Sequence, residues 1–391
     1  MLRVGIVGGG VSGLAAAVAL RRAGHHPEIF ERAPEIQEVG SGLTLWANAT
    51  RALRELGALD YCLERSHRIE EFNLLHASGR LLMRIPIEAF ATHALAMHRA
   101  DLQAALVRLL PSELIATHQT CLGVREDSTG VFLNFLDGER GPFDVVIGAD
   151  GVRSCVRTYV VGGAATPLSY RGYTIWRGVA RIDPEQPMQS AISETWGLGH
   201  RFGILPLGAG RVCWYATANS RQPKTTRSED RQAIIQTLVA GWHSPVSSLV
   251  AATPRDEILE HATYDRAVRS GWNRGAVILL GDAAHPLTPN LGQGACLALE
   301  DAVVLGRLLS GMRSRQAVPA ALQRFEQVRL SRVRAMARRC RWLGSLGQWE
   351  DPFANFLRLQ ATKVIPGSLF TRTSRAIQSY AADHVAPFQP V

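Results

Sequence analysis

Arg3-Val4-Gly5-Ile6-Val7 runs straight into Gly8-Gly9-Gly10-Val11-Ser12-Gly13, and this stretch decides the fold. The apolar pentapeptide has the length of a buried parallel strand. Glycines at 8, 10 and 13 match the spacing G-x-G-x-x-G. Leu14 to Ala23 is alanine-rich and reads as a helix that Gly24 stops. Pro27-Glu28-Ile29-Phe30-Glu31 follows as a second strand, and its terminal acid lies 18 residues after Gly13. The chemistry needs these residue types. Gly8 permits the tight turn, Gly10 lets the backbone approach a pyrophosphate, and Gly13 lets helix and strand pack closely. Phosphates then meet free N–H groups at a helix N-terminus, and Glu31 takes a pair of ribose hydroxyls. The stretch reads as a dinucleotide-binding unit and leaves open which dinucleotide it holds and for what reaction.

Composition narrows what surrounds that unit. A chain of 391 residues, 46% hydrophobic, can bury a large core and hold two or three domains. The first strand starts at residue 3, so no signal peptide is expected, and no apolar run reaches membrane-span length. Cysteines 62, 121, 155, 213, 296 and 340 are scattered without C-x-x-C or metal-type clustering, which fits reduced thiols in a cytoplasmic protein. The net charge is +9, yet only Lys224 and Lys363 are lysines among 43 basic residues, and these residues are spread out. That is a compositional bias, and no nucleic-acid partner is expected. The run Arg329 to Arg341 is the one concentration, and it reads as a solvated helix face.

Further along, Glu38 to Leu45 reads as a loop and short strand, and Asn48 to Leu56 as a helix ended by Gly57. Residues 69–85 read as antiparallel strands turning at Ser78-Gly79. Arg99 opens a helix over Arg99-Ala100-Asp101-Leu102-Gln103, where its charge opposes the helix dipole; either an anion or open solvent can hold it there. Phe143 to Gly148 is a buried strand running into Ala149-Asp150-Gly151-Val152-Arg153-Ser154, which repeats the design of the opening motif. Residues 169–264 change to the alternation of half-buried antiparallel strands, as in Tyr173 to Val179 and Arg211 to Thr217, with Gly199 to Pro206 between them. Parallel character returns at Ala276 to Leu280. That strand delivers Gly281-Asp282-Ala283-Ala284-His285-Pro286, a rigid loop over Pro289 to Gly294, and a helix from Ala295 to Leu309. This is a second anion- and hydroxyl-binding constellation. Asp282 and His285 have no further ligand at metal-binding spacing, so no metal is expected.

Three glycine/aspartate turns in this order resemble the single-component FAD-dependent aromatic hydroxylases, the class A flavoprotein monooxygenases. Gly8 to Gly13, Asp150-Gly151 and Gly281-Asp282 match the family's three fingerprints, and Arg99 with Gln103 and Gly40 to Leu43 also fit. The resemblance spans about residues 3 to 340 and lies nearest the branch of hydroxybenzoate, salicylate and urate hydroxylases and zeaxanthin epoxidases. It implies an α/β fold in which a Rossmann-type FAD domain carries an inserted antiparallel substrate sheet and C-terminal helices. The implied divisions are 1–72, 96–168 and 265–335 for FAD, 73–95 and 169–264 for substrate, and 336–391 for the helical end.

The resemblance also implies residue roles. Non-covalent FAD would be held by Gly8, Gly10, Ser12, Gly13, Glu31, Arg32, Ser41, Gly42, Arg99, Gln103, Asp150, Asp282, Pro289, Gly292, Gly294 and Ala295. NADH or NADPH would bind transiently, without a nucleotide fold of its own. Oxygen would add at flavin C4a, and the hydroperoxide would pass its distal oxygen to an electron-rich aromatic substrate, by hydroxylation or epoxidation. His200, Arg201 and Tyr215 are the catalytic candidates. Hydroxybenzoate and salicylate hydroxylases of this branch carry histidine five residues before the strand proline, where this chain has Arg201. Adjacent strand residues face opposite ways, so Arg201 and His200 cannot both face the flavin in a regular strand. If Arg201 does, Gly203 beside it leaves room for a flat ring and Leu205 supplies an apolar floor. A monomer or homodimer is implied. The competing readings are a flavin-dependent halogenase, whose W-x-W-x-I-P segment and active-site lysine are missing, and a flavin-binding protein without turnover.

Overall fold

The computed structural model describes residues 1–391 except 37–39, 88–92, 163–166, 184–188, 224, 365–373 and 390–391. Glu38 and Val39, at the start of the loop read before Gly40, therefore lie outside the described residues. The opening stretch forms strand Arg3–Val7 and helix Val11–Arg22. The strand lies in the middle of a six-stranded sheet, parallel to His26–Phe30 on one side and Val145–Gly148 on the other. Val277–Leu279 extends the parallel set, and Asn273–Arg274 closes that edge antiparallel. All three turns read from the sequence therefore leave the same end of one sheet, where parallel α/β sheets bind ligands.

Glycine and alanine let the elements of this domain touch. A Cβ on Gly13 would lie 1.9 Å from the Gly8 carbonyl oxygen, and one on Gly306 would lie 2.8 Å from Ala19 Cβ. The second contact lets helix Gly294–Leu309 pack against helix Val11–Arg22.

The second layer is a seven-stranded sheet. Its order is Leu259–Asp265, Ser169–Arg181, Arg211–Asn219, His200–Gly208, Ala191–Trp196, Glu71–His76, Leu81–Pro86. Every pairing is antiparallel except that of Ala191–Trp196 with Glu71–His76. One face packs Trp176, Phe202 and Trp214 against Ile235, Leu249 and Val250 of helices Ser228–Leu238 and Val246–Ala251. The opposite face turns toward the parallel sheet. The boundaries read at 72/73, 95/96, 264/265 and 335/336 fall inside strands Glu71–His76, Ala94–His98 and Leu259–Asp265 and inside helix Val318–Gly347. These elements run through the positions, and composition gives no sign of that.

The late basic run needs correction. Arg329, expected on a solvated face, is 0% exposed. Its Nε donates to Asp301 Oδ1 at 2.7 Å, and its Nη1 lies 2.7 Å from Glu300 Oε2. Arg332 binds Glu300 as well, and Arg341 Nε donates to Asp265 at 2.6 Å. One side of this helix thus pairs arginines with acids from other elements, Arg329 fully buried and Arg332 and Arg341 partly so, while Arg334, Arg338 and Arg339 form the solvated face. A single sequence window cannot show that, because the acids are remote in the chain.

Candidate active site

A cleft of about 1990 Å³ separates the two sheets. Its floor is built from the three turns. Gly8 has φ +107°, and a Cβ there would lie 2.5 Å from the Ala149 carbonyl oxygen, so the first turn rests directly on the second. Gly281, at φ +55°, meets Ser12 in the same way, joining the third turn to the first. Gly10 and Gly294 differ: among the described residues nothing lies within 4 Å of where their Cβ would be. Both line the cleft, and both leave backbone open for a ligand to approach.

Two acids of the floor are held by backbone. Glu31 accepts the Gly9 N–H at 2.5 Å and the Ala33 N–H at 2.9 Å. Asp150 Oδ2 accepts N–H groups of Cys155 (2.7 Å) and Val156 (3.3 Å), while its Oδ1 is buried without a hydrogen-bond partner among the described residues. Asp282 opens to the cleft and is otherwise enclosed by protein. Desolvation raises its carboxyl above the usual range, with His285 and Arg99 opposing that shift. His285 belongs to a support behind the turn. Asp301 accepts from His285 Nε2 at 2.7 Å and from the Gly281 N–H at 3.2 Å. Burial pushes Asp301 up, but His285 and Arg329 more than offset it and hold the carboxyl below its ordinary value. Among the described residues no group of three or more His, Cys, Asp or Glu could hold a metal ion.

Arg99 opens helix Arg99–Val107, its stem against Gly40 and its head exposed in the cleft. Arg32, Ser41, Gly42, Pro289, Gly292 and Ala295 also line the cleft. Gln103 does not: it is 9% exposed and packed into the protein behind Arg99.

The roof is the inner face of the seven-stranded sheet, and strand His200–Gly208 is regular at residues 200–206. Arg201 therefore faces the cleft, and His200 lies on the other side, its ring stacked 5.0 Å from Trp242. His200 as a catalytic candidate is corrected on that geometry. Gly203 is also not what the sequence reading expected. A Cβ there would fall 2.0 Å from Tyr215 Cε1, so the glycine makes room for the Tyr215 ring and not for a ligand.

Arg201, 2% exposed, is held at three points. Nε donates to Gln348 Oε1 at 2.8 Å, Nη2 to Asn290 Oδ1 at 2.8 Å, and Nη1 faces Glu194 Oε1 at 3.4 Å. Glu194 also accepts from the Tyr215 hydroxyl and from Trp196 Nε1. Burial works against the Arg201 charge, but Glu194, with Tyr215 and Tyr173, holds the guanidinium above its ordinary value. Burial, then the Glu194 charge, raises the Tyr215 phenol well above its ordinary value. At neutral pH Arg201 is a fixed cation and Tyr215 a protonated donor; neither is a base.

Arg177, opposite Tyr215 in the sheet, lines the same roof, and burial lowers its pKa. Sequence reading missed Arg177, Glu194, Asn290 and Gln348. Glu194 and Arg177 left a signal, as charges on an otherwise apolar strand face, between Ile192 and Trp196 and between Ile175 and Val179. Gln348 lies just past a helix end, 147 residues from Arg201, and only the fold brings it there.

Comparison with known proteins agrees with this architecture. The family model described as FAD binding domain matches residues 1–340. The chain is 36% identical to aurachin C monooxygenase/isomerase of Stigmatella aurantiaca over 96% of this chain and 98% of that one. It is 33% identical to 2-heptyl-3-hydroxy-4(1H)-quinolone synthase of Pseudomonas aeruginosa, over 93% and 94%. A Klebsiella pneumoniae structure with FAD and uric acid superposes with TM-score 0.89 at 27% identity, covering 96% of this chain and 97% of that one.

Proposed function

Because the chain belongs to the FAD binding domain family of flavoprotein monooxygenases, we propose that its substrate is a bicyclic enaminone of the 4(1H)-quinolone class. The protein is an FAD-dependent monooxygenase that uses NAD(P)H and O₂ to hydroxylate an aromatic small molecule. Neither a halogenase nor a binding protein without turnover matches these relatives.

The residues fit FAD. Open backbone at Gly10 and Gly294, the unpartnered Asp150 Oδ1 and two helix N-termini at the cleft suit a pyrophosphate and polyol. In this reading Glu31 and Arg32 hold the adenosine end, and Arg99 and Asp282 the middle. Backbone from Gly292 to Ala295 holds the ring edge. Bound FAD supplies the activation of oxygen. Gly10→Ala is expected to keep the fold, since its methyl meets nothing, and to lose FAD affinity. Asp282→Ala should weaken FAD roughly tenfold to a hundredfold, as for one charge-assisted hydrogen bond. Fluorescence titration of the apoproteins checks both, and unchanged affinity in both variants removes this placement.

The observation that carries the substrate reading is Arg201 sharing Glu194 with Tyr215 on the roof. A 4(1H)-quinolone conjugates its ring nitrogen through C3 to the carbonyl. Its anionic form puts charge on O4 and makes C3 nucleophilic. Arg201 supplies planar donors for O4. The adjacent Glu194 pairs with Arg201 and disfavours a carboxylate at that point of the roof, leaving Arg177 as the cation beside Tyr215. The relative that forms a 3-hydroxy-4(1H)-quinolone supports this choice. The holoenzyme is expected to oxidise NAD(P)H faster with 2-heptyl-4(1H)-quinolone and to yield its 3-hydroxy product by mass spectrometry. Stimulation by urate or 3-amino-4-hydroxybenzoate instead overturns the class. Among the described residues no helix is long and apolar enough to cross a membrane. A cytoplasmic monomer or homodimer belongs to the same reading, and cell fractionation and light scattering test it.

A further inference from the structure

The cleft does not end at Arg201. Leu74 is paired with Glu194 across the parallel strand junction and with Met83 on its other side. Phe72 and Ile85 form the next pair outward on the same face. An apolar wall therefore begins directly beside the carboxyl that holds Arg201 and Tyr215.

Helix Pro352–Val364 faces this wall. Phe353, Leu357 and Ala361 line the cleft at intervals of four, which is one stripe of a helix. Arg358 pins that helix in place. It donates to the carbonyls of Leu346 (2.8 Å), Gly347 (3.2 Å) and Gly197 (2.9 Å), so these donors are spent on backbone, and its guanidinium lies 4.7 Å from the centre of the Trp196 ring. At the rim, large apolar side chains stand in water: Trp342 is 64% exposed, Phe353 69% and Leu357 49%. Scattered single cases are ordinary, but these line the mouth of one cavity, and a contiguous exposed apolar patch marks a binding groove.

We propose that this arm of the cleft is a subsite for an unbranched alkyl tail carried by the substrate, with the helix Pro352–Val364 as its outer wall. The proposal rests on the enaminone reading for the ring and adds what that reading does not contain: a second, apolar determinant of affinity supplied by strands Glu71–His76 and Leu81–Pro86. The sheet face explains the division. Its middle strands present Arg201, Glu194 and Tyr215 to a polar ring, and the two strands at the edge formed by Leu81–Pro86 present Phe72, Leu74, Met83 and Ile85 to the cleft.

The test uses FAD-loaded protein and a series of 4(1H)-quinolones bearing methyl, propyl or heptyl at position 2, followed by perturbation of the flavin absorbance. Affinity is expected to rise by up to roughly fourfold per methylene. Leu357→Glu places a charge in the wall at a half-exposed position that tolerates it in the fold. It should lower the affinity of the heptyl compound at least tenfold and that of the methyl compound less than twofold. Phe353→Glu should act in the same direction. A series that binds with the same affinity at every length overturns the subsite and leaves the ring reading standing. Equal losses for methyl and heptyl compounds in both variants also overturn it. If no member perturbs the flavin, the ring reading fails and the tail subsite fails with it.

Discussion

Arg329→Ala is expected to lose about 3–5 kcal/mol of unfolding free energy at neutral pH, the cost of breaking a buried ion cluster by removing one partner. Arg329 is 0% exposed and bridges Glu300 and Asp301, themselves almost wholly buried. Without it, Arg332 and Asn48 still hold Glu300, and His285 still holds Asp301. One buried negative charge is nevertheless uncompensated. The sign of the pH effect separates this from a simple cavity. In the native protein Asp301 is held below its ordinary value, so its contribution is present above about pH 4 and is lost as pH falls through the folded value. Removing Arg329 lifts part of that hold, leaving His285 to oppose burial, and the carboxyl rises from its native value. The variant should recover stability as pH falls from 7 to 5, narrowing its gap to the native protein. Urea unfolding at the two pH values measures this. A gap that is the same at both assigns the loss to packing alone. Since Asp301 also accepts the Gly281 N–H, FAD content of the purified variant should fall as well.

Arg201→Gln is expected to leave FAD content intact and to uncouple turnover. NAD(P)H is still consumed, peroxide is released, and the rate of product formation drops by about a hundredfold or more, the range for loss of a preorganised donor to a developing anion. The argument is geometric. Arg201 and Glu194 lie on the roof, and Gln348, past a helix end, and Asn290, in the loop that also carries Pro289 and Gly292, fix the guanidinium from the other side, while Glu31, Asp150 and Asp282 lie on the floor. Arginine does not deprotonate near neutral pH, so its contribution is electrostatic and should not create a new limb in the pH profile. Glutamine retains one amide donor and loses the charge. Product yield per NAD(P)H, with peroxide measured in parallel, decides the matter. Native coupling in the variant would exclude Arg201 from this role.

Much of the floor could be read from the chain because local rules write it. The glycines at 8, 10 and 13 and the strand-end acids Asp150 and Asp282 are dictated by tight turns, close backbone approach and helix N-termini, all within a dozen residues. Even there the tertiary structure added a distinction. Gly8 and Gly13 are glycine because protein atoms leave no room for Cβ, and Gly10 stays open to the cleft. Gln103 and Arg99 lie on one short helix, but rotation about the helix axis buries the first and exposes the second.

The sequence by itself determined a dinucleotide-binding α/β fold with an inserted antiparallel sheet, because strand length, alternation and glycine spacing are properties of neighbouring residues. Period-two alternation also required that only one of His200 and Arg201 face the cleft. Which one it is was decided by the tertiary structure, through Glu194, Asn290 and Gln348, residues that converge from another strand, a loop and the end of a long helix. The same holds for Arg329. An arginine-rich helix looks solvated until acids remote in the chain are packed against it. Long-range pairing of charges leaves no periodic trace in a sequence, since the fold, and not chain distance, sets which groups meet.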